Sequence, residues 1–337
     1  MQPAQGLPFP RVDRFASPCR RIRAAAARSR PVGDPLGSRP AFSGKVSGPI
    51  LGPMTDSRDP RLTPARAALA DSRLRGTVQA ERYVEGRERR VGVASAPLRR
   101  EPSPQSGIDT EVLLGDAVTF YDTIDGHAFV QLARDGYVGF LPEGSLAPAD
   151  TAPTHVVTAL RTFLYPEPDL KRPPLGHLSL GARPTALGVV GEYLETAAGF
   201  VFTEHCRDTG FTEADVAGTA ERLVGTPYLW GGRTSLGLDC SGLVQLCLHL
   251  AGIPCPRDAD QQEAGLDAVS PDGAEGLRRG DLVFWRGHVG MMLDGTHLIH
   301  ANGHHMAVAV EPLAQARARI LAKSYGAVTA IRRLRRS

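Results

Sequence analysis

The sequence predicts an α+β chain in which two small all-β units precede a mixed domain of helices and strands. Three observations carry this reading. Residues 88–147 and 155–206 echo one another. Glu101-Pro102 returns as Glu167-Pro168 and Leu114-Gly115 as Leu180-Gly181, each 66 residues later, and Gly136-Tyr137-Val138 returns as Gly199-Phe200-Val201 after 63. Further on, Leu243, Val244, Leu246, Cys247, Leu250 and Ala251 fall at the spacing of a helix with one buried face. Beyond them, two apolar runs flank Asp294-Gly295, a strong hairpin signal.

Residues 1–53 are rich in Arg, Pro, Gly and Ser, with only Asp13 and Asp34 acidic. Such a composition cannot bury a core, so this stretch is expected to be disordered, or untranslated if synthesis begins at Met54. Residues 54–87 form a more balanced segment in which Ala65 to Leu74 offers a short helix. Residues 88–147 and 148–206 follow as the two β units, whose short alternating runs (Val118 and Phe120, Phe129 and Gln131) read as half-buried strands of a small barrel. The duplicated Gly motif places a loop three residues shorter in the second copy. Residues 207–337 make the last domain. Thr212 is read as the cap of a helix reaching Val224, and Asp239 as the cap of a helix that ends at Gly252 and Pro254.

The 337 residues carry 39 basic and 36 acidic side chains, a net charge of +3, so nothing calls for a nucleic-acid partner. No run of 18 apolar residues predicts a transmembrane helix. Five cysteines without zinc-type pairing read as reduced thiols, and residues 21–27 lack the apolar core of a secretory signal. A cytoplasmic location is therefore expected. The oligomeric state is not legible.

Chemistry concentrates in the last domain. Cys240 sits in the first turn behind Asp239, where unpaired N–H groups and the helix dipole are expected to lower a thiol pKa. A thiolate nucleophile needs a base, and the base an orienting partner. A three-residue hairpin loop centred on Asp294 would set His288 directly opposite His300, close enough to hydrogen-bond. His297, His304 and His305 compete for the third role. A metal site from those three lacks a carboxylate or Cys at the usual spacing. Cys247 reads as a packing residue, and Trp230 as core or a cleft wall.

As a set, Tyr228-x-Trp230-Gly231-Gly232, Asp239-Cys240-Ser241-Gly242, Gly280-Asp281-Leu282-Val283-Phe284, His288-Val289-Gly290 and Ile299-His300-Ala301 resemble the NlpC/P60 cysteine peptidases. That resemblance implies a papain-like domain with the triad Cys240, His288 and His300, Tyr228 near the oxyanion, and no cofactor. The units in front resemble bacterial SH3-like barrels. The whole then resembles murein-recycling endopeptidases, which cut the γ-D-glutamyl bond to a diamino acid in peptidoglycan-derived peptides with a free N-terminal L-Ala. It also implies that Asp116 and Tyr137 hold the substrate amine, and that Ser241, Arg257 and Asp258 line the site, with Ala259 where a hydroxyl residue often follows. Alternatives stay open at this stage. Asp239 can be only a cap, and Asp116 and Tyr137 only a turn acid and a barrel aromatic. The chain can be a cell-wall peptide-binding protein with an inactive peptidase domain, or an amidase or acyltransferase on the same Cys–His–His frame.

Overall fold

The computed structural model describes residues 58–266, 268–269, 276–323 and 325–334. The expectations for residues 1–53, the start at Met54 and Cys19 lie outside the described residues. Among the described residues no helix is long and apolar enough to cross a membrane.

The segment after residue 58 holds no α-helix, and of the expected helix from Ala65 to Leu74 only Ser72–Leu74 winds, as one 3₁₀ turn. Ala65–Arg66 and Leu69–Asp71 are paired strands, and Tyr83–Val84 adds a third to them. Burial overrides the local helical preference here: Leu69 is fully enclosed by Tyr121, Phe129 and Phe140 of the first β unit, and Asp71 accepts a hydrogen bond from the Tyr121 hydroxyl at 2.8 Å.

The first unit contains β1 (Arg87–Val91), β2 (Ser95–Arg99), β3 (Ile108–Leu113), β4 (Ala117–Ile124), β5 (His127–Leu132), β6 (Val138–Pro142) and β7 (Leu146–Ala147), in the antiparallel order β7-β1-β4-β5-β6-β2-β3. The second contains β8 (His155–Val157), β9 (Arg161–Tyr165), β10 (Gly176–Ser179), β11 (Ala186–Val190), β12 (Tyr193–Thr196), β13 (Gly199–Phe202) and β14 (Cys206–Asp208). Its strands run β10-β9-β13-β12-β11, with β8 and β14 paired separately. The two orders correspond strand for strand. The echo extends to single hydrogen bonds: Gly115 N–H donates to Val91 O and Gly181 N–H to Val157 O, each at 2.9 Å. Neither ladder closes, so the expected barrels are open sheets.

The register also corrects the matched glycines. Phe140 pairs with Arg99 and Phe200 with Tyr165. A Cβ at Gly139 would lie 2.7 Å from Arg99 O, and one at Gly199 would lie 2.5 Å from Tyr165 O. Gly199 therefore corresponds to Gly139, not Gly136, and the second copy is six residues shorter at this turn. What it lacks is the β5–β6 turn that carries Arg134, Asp135 and Tyr137.

The last domain opens with α1 (Val216–Arg222), capped by Asp215 rather than Thr212. Then come α2 (Cys240–Leu250), α3 (Ala259–Gly265), β15 (Leu282–Trp285), β16 (His288–Met292), β17 (His297–Asn302), β18 (Ala307–Pro312), α4 (Leu313–Lys323) and β19 (Val328–Leu334). The sheet runs β19-β15-β16-β17-β18, with the short strand Ala268–Val269 beyond β19. Leu243, Val244, Leu246 and Cys247 of α2 are buried in one cluster with Val289, Met291 and Ile299 of the sheet, so the helix that begins at Cys240 is held against the strands that carry both histidines.

Both β units grip this domain. Glu111 accepts from Arg233 N–H at 2.8 Å, Asp135 from the Gln245 amide at 2.9 Å, and Ser179 Oγ from Ser235 N–H at 2.8 Å. Gly231, at φ 76°, passes so close to the first unit that a Cβ would sit 2.3 Å from Ile108 O.

Candidate active site

Asp239 caps α2 as the sequence predicts and fixes the first turn on which Cys240 sits. Its Oδ1 accepts from Gly242 N–H at 2.7 Å and its Oδ2 from Gly231 N–H at 2.9 Å. The fully buried Arg257 grips both oxygens, at 3.1 and 2.6 Å, and also donates to Ser241 Oγ at 2.8 Å and Thr110 Oγ1 at 2.7 Å. A charge-assisted, bidentate contact of this kind is strong and directional. It ties the turn that carries Cys240 to the loop before α3 and to the first β unit at once.

Cys240 is buried, and burial pushes its thiol up to about 12, with the neighbouring Asp239 charge acting in the same direction. The N–H groups of Val289 and Ser241 and the charge of Arg257 oppose this and lose. The expected lowered thiol pKa is therefore corrected: desolvation outweighs the helix terminus. His288 has the complementary property. Burial first, then repulsion from His300 and Arg319, lowers it to about 3, so the imidazole is neutral near pH 7 and can accept a proton. Tyr325 lies parallel to its ring with centroids 5.4 Å apart, and Trp285 packs beside it at 5.6 Å.

His288 and His300 do meet, with Nε2 and Nδ1 2.8 Å apart. They do so by a different register from the one expected. Met291 pairs with Ile299 and Met292 with Leu298, which centres the hairpin on Gly295 rather than Asp294. The Asp294 carboxylate accepts from the N–H groups of Thr296 and His297 at 2.6 and 2.7 Å and shapes the turn. The two histidines are thus diagonal neighbours on one face, still within reach of each other.

The relay continues beyond what the sequence showed. His300 Nε2 lies 2.7 Å from Glu311 Oε1 on β18, and both Glu311 oxygens accept from the Arg319 guanidinium on α4. Burial opposes ionisation of Glu311, yet hydrogen bonds from Arg319 and His300 hold its carboxyl well below the usual range. An ionised Glu311 can only accept, so His300 carries its proton on Nε2. His300 Nδ1 then accepts from His288 Nε2, and His288 Nδ1 is left to take a proton. His297 is exposed and bound to Asp294 at 3.0 Å.

Other expected residues divide. Tyr228 is half-buried, and burial, followed by the charges of Cys240 and Asp239, lifts its hydroxyl above the usual value. Tyr137 reaches the site from the β5–β6 turn and donates to Asp258 Oδ2 at 3.1 Å. Arg61, from the leading segment, donates to the same oxygen at 2.8 Å. Asp116 is not brought in. Its carboxylate accepts from Leu113 N–H at 3.0 Å and pairs with Arg134. Trp230 is 69% exposed, not core. Among the described residues, His300, His305 and Glu311 bring possible ligand atoms within 4.8 Å of one another. This differs from the histidine set weighed from the sequence, and its carboxylate is already held by Arg319. The described cysteines, Cys206, Cys240, Cys247 and Cys255, are free thiols.

Glu311, Arg319, Arg61 and Tyr325 gave no sequence signal, because each acquires its role only through contacts between separate elements.

Two stretches of the chain match known protein families. Residues 225–322 match the NlpC/P60 family, and residues 98–146 match the bacterial dipeptidyl-peptidase SH3 domain. A gamma-D-glutamyl-L-lysine dipeptidyl-peptidase from Bacillus cereus is 26% identical over 238 residues, covering 61% of this chain and 71% of that protein. Dipeptidyl-peptidase 6 of Lysinibacillus sphaericus is 35% identical over 99 residues, which span 29% of this chain and only 36% of that protein. A solved NlpC/P60 family protein from Bacillus cereus shares the fold, with a TM-score of 0.62 at 22% identity over 73% of this chain and 99% of that one. The chain thus carries an NlpC/P60 domain preceded by a bacterial SH3 domain.

Proposed function

We propose that this protein is a cysteine endopeptidase that hydrolyses the γ-D-glutamyl–diamino acid bond of peptidoglycan-derived peptides bearing a free N-terminal L-Ala. The observation that carries the reading is the unbroken polar chain His288–His300–Glu311, with links of 2.8 and 2.7 Å, packed against the helix that begins at Cys240. The peptidase-named relatives and the SH3 match support the substrate class.

The resting pair is a neutral thiol and a neutral imidazole. As substrate binds, His288 Nδ1 takes the Cys240 proton and Sγ attacks the γ-carbonyl carbon of D-Glu. The oxyanion meets the N–H groups that open α2 and the Tyr228 hydroxyl. The proton on His288 is stabilised through His300 by the Glu311 carboxylate. His288 then protonates the leaving diamino-acid nitrogen as the C–N bond breaks, leaving a thioester on Cys240. Water attacks that thioester with His288 again as base, releasing L-Ala-D-Glu and the free thiol. The substrate ammonium is held at Asp258 and Tyr137, where it shares the carboxylate with Arg61, rather than at Asp116. The second β unit is read as a degenerate SH3-like copy, and a cytoplasmic recycling role fits a substrate with a free amine.

Cleavage of L-Ala-γ-D-Glu-diaminopimelate beside its N-acetylated form, followed by mass spectrometry, tests this. Cleavage of the free peptide at the γ-bond, with the acetylated one resistant, is expected. Equal rates would remove the ammonium contact. Release at another bond, or transfer to an added amine, would favour amidase or acyltransferase chemistry. Binding without cleavage would leave a peptide-binding protein.

A further inference from the structure

The geometry points to a second ligand site, distinct from the Cys240 centre: a cavity of about 560 Å³ in which Arg90, Arg183 and Arg233 bind a small oxyanion of the phosphate or carboxylate class. It lies where three parts of the chain converge. Its walls come from the β3–β4 turn, the segment after β10, and the C-terminal half of α2 with the loop that follows.

Four arginines line this cavity, Arg134 being the fourth, against a single carboxylate, Asp116. Arg134 is satisfied by Asp116 and by Asp135 behind it. Among the described residues no carboxylate pairs with Arg90 or Arg183, and Arg233 has only a long contact to the Asp116 that Arg134 already holds. Arg233 is 4% exposed; its Nε donates to Gln245 at 2.9 Å and its Nη2 lies 3.2 Å from His249 Nδ1. Its Nη1 is buried without a hydrogen-bond partner and meets Asp116 only as a long ion pair at 3.8 Å. Arg90 donates from Nη1 to Gly115 O at 3.3 Å, yet its Nε is likewise buried and unpartnered.

A buried guanidinium N–H without an acceptor carries the full desolvation penalty, and two around one cavity of excess positive charge mark a place built to receive an acceptor. Burial and the adjacent Arg134 lower Arg233 only to about 9, so it remains a cation at neutral pH. The planar fork of Arg matches phosphate and carboxylate oxygens in pairs. No Phe, Tyr or Trp stands among the lining residues, and the one imidazole, His249, is held by Arg233 at 3.2 Å and the Cys255 carbonyl at 3.1 Å, which favours a compact ion over a nucleotide.

Isothermal titration calorimetry of the full chain with inorganic phosphate, and separately with citrate, tests the site, with chloride at matched ionic strength as reference. Saturable one-to-one binding is expected with at least one of the two. It should weaken about tenfold or more in Arg183→Gln and in Arg90→Gln, both at partly exposed positions, and persist in Cys240→Ala and Arg61→Gln. Absence of saturable binding for either anion overturns the proposal. So does binding unchanged by Arg90→Gln and Arg183→Gln, or lost in Arg61→Gln, which would place the anion at the Asp258 cluster. Phosphate binding without citrate binding, or the reverse, assigns the oxyanion class.

Discussion

Glu311→Gln isolates the far end of the relay while keeping its shape. The carboxylate accepts from His300 at 2.7 Å and from Arg319 through both oxygens, and it is 7% exposed. The amide retains one acceptor oxygen for His300 but removes the negative charge that balances a proton on the histidine pair. A hydrogen bond to a charged partner contributes about 1.5–3 kcal/mol. If that difference is expressed only when His288 is protonated, the rate of acylation falls about 10- to 150-fold. The assay is kcat and KM for the free tripeptide, with circular dichroism to confirm the fold. The loss should fall on kcat with KM little changed. Glu311 also raises the His288 pKa against the opposing effect of burial, so without its charge the acid limb of kcat/KM moves to lower pH. A purely structural role for Glu311 would not move that limb. A folded variant within about twofold of the wild-type rate, with an unshifted profile, would refute the relay.

Further outcomes follow from the same geometry. His288→Ala should approach the loss seen on removing Cys240, whereas His300→Ala should retain more activity, because an orienting group matters less than the base; equal losses in steady-state kinetics would give His300 a direct role. The fold should also weaken in mild acid. His288 ionises near 6.5 when unfolded and near 3 when folded, so below 6.5 the unfolded chain binds a proton that the native state refuses, and stability falls with pH. This amounts to about 2 kcal/mol from His288 alone between pH 6.5 and 5. Urea melts should show a smaller decline over that range for His288→Gln, and an unchanged decline would mean the ring is not buried neutral.

The start of α2 was legible because its determinants are local: a helical apolar stripe, Asp239 at the cap, and Cys240 in the first turn. The hairpin was legible as a hairpin, but its register was not. The choice between Asp294 and Gly295 as the centre depends on the hydrogen bonds that the Asp294 side chain makes to Thr296 and His297, and two registers share the same alternation of faces. Ala65 to Leu74 has helical composition yet forms two short strands and a single 3₁₀ turn at Ser72–Leu74, since Leu69 gains more by entering the Tyr121–Phe129–Phe140 cluster. The duplication was legible from its glycines, while their correspondence required the close approach of Gly139 and Gly199 to the neighbouring strand. Asp116 was matched by its place after Leu114-Gly115, a position that does not reveal that Arg134 folds back onto it. Glu311 and Arg319 lie on elements after the second histidine, and nothing in their spacing marks them.

In the proposed reaction Cys240 becomes acylated at the γ-carbonyl of D-Glu. Rapid acid quench of the enzyme with L-Ala-γ-D-Glu-diaminopimelate, followed by peptide mass mapping, tests it directly. An L-Ala-D-Glu adduct is expected on the peptide containing Cys240, sensitive to hydroxylamine, absent from Cys240→Ala, and accompanied by free diaminopimelate. Turnover by Cys240→Ala at the wild-type rate, or an adduct on another residue, would contradict it.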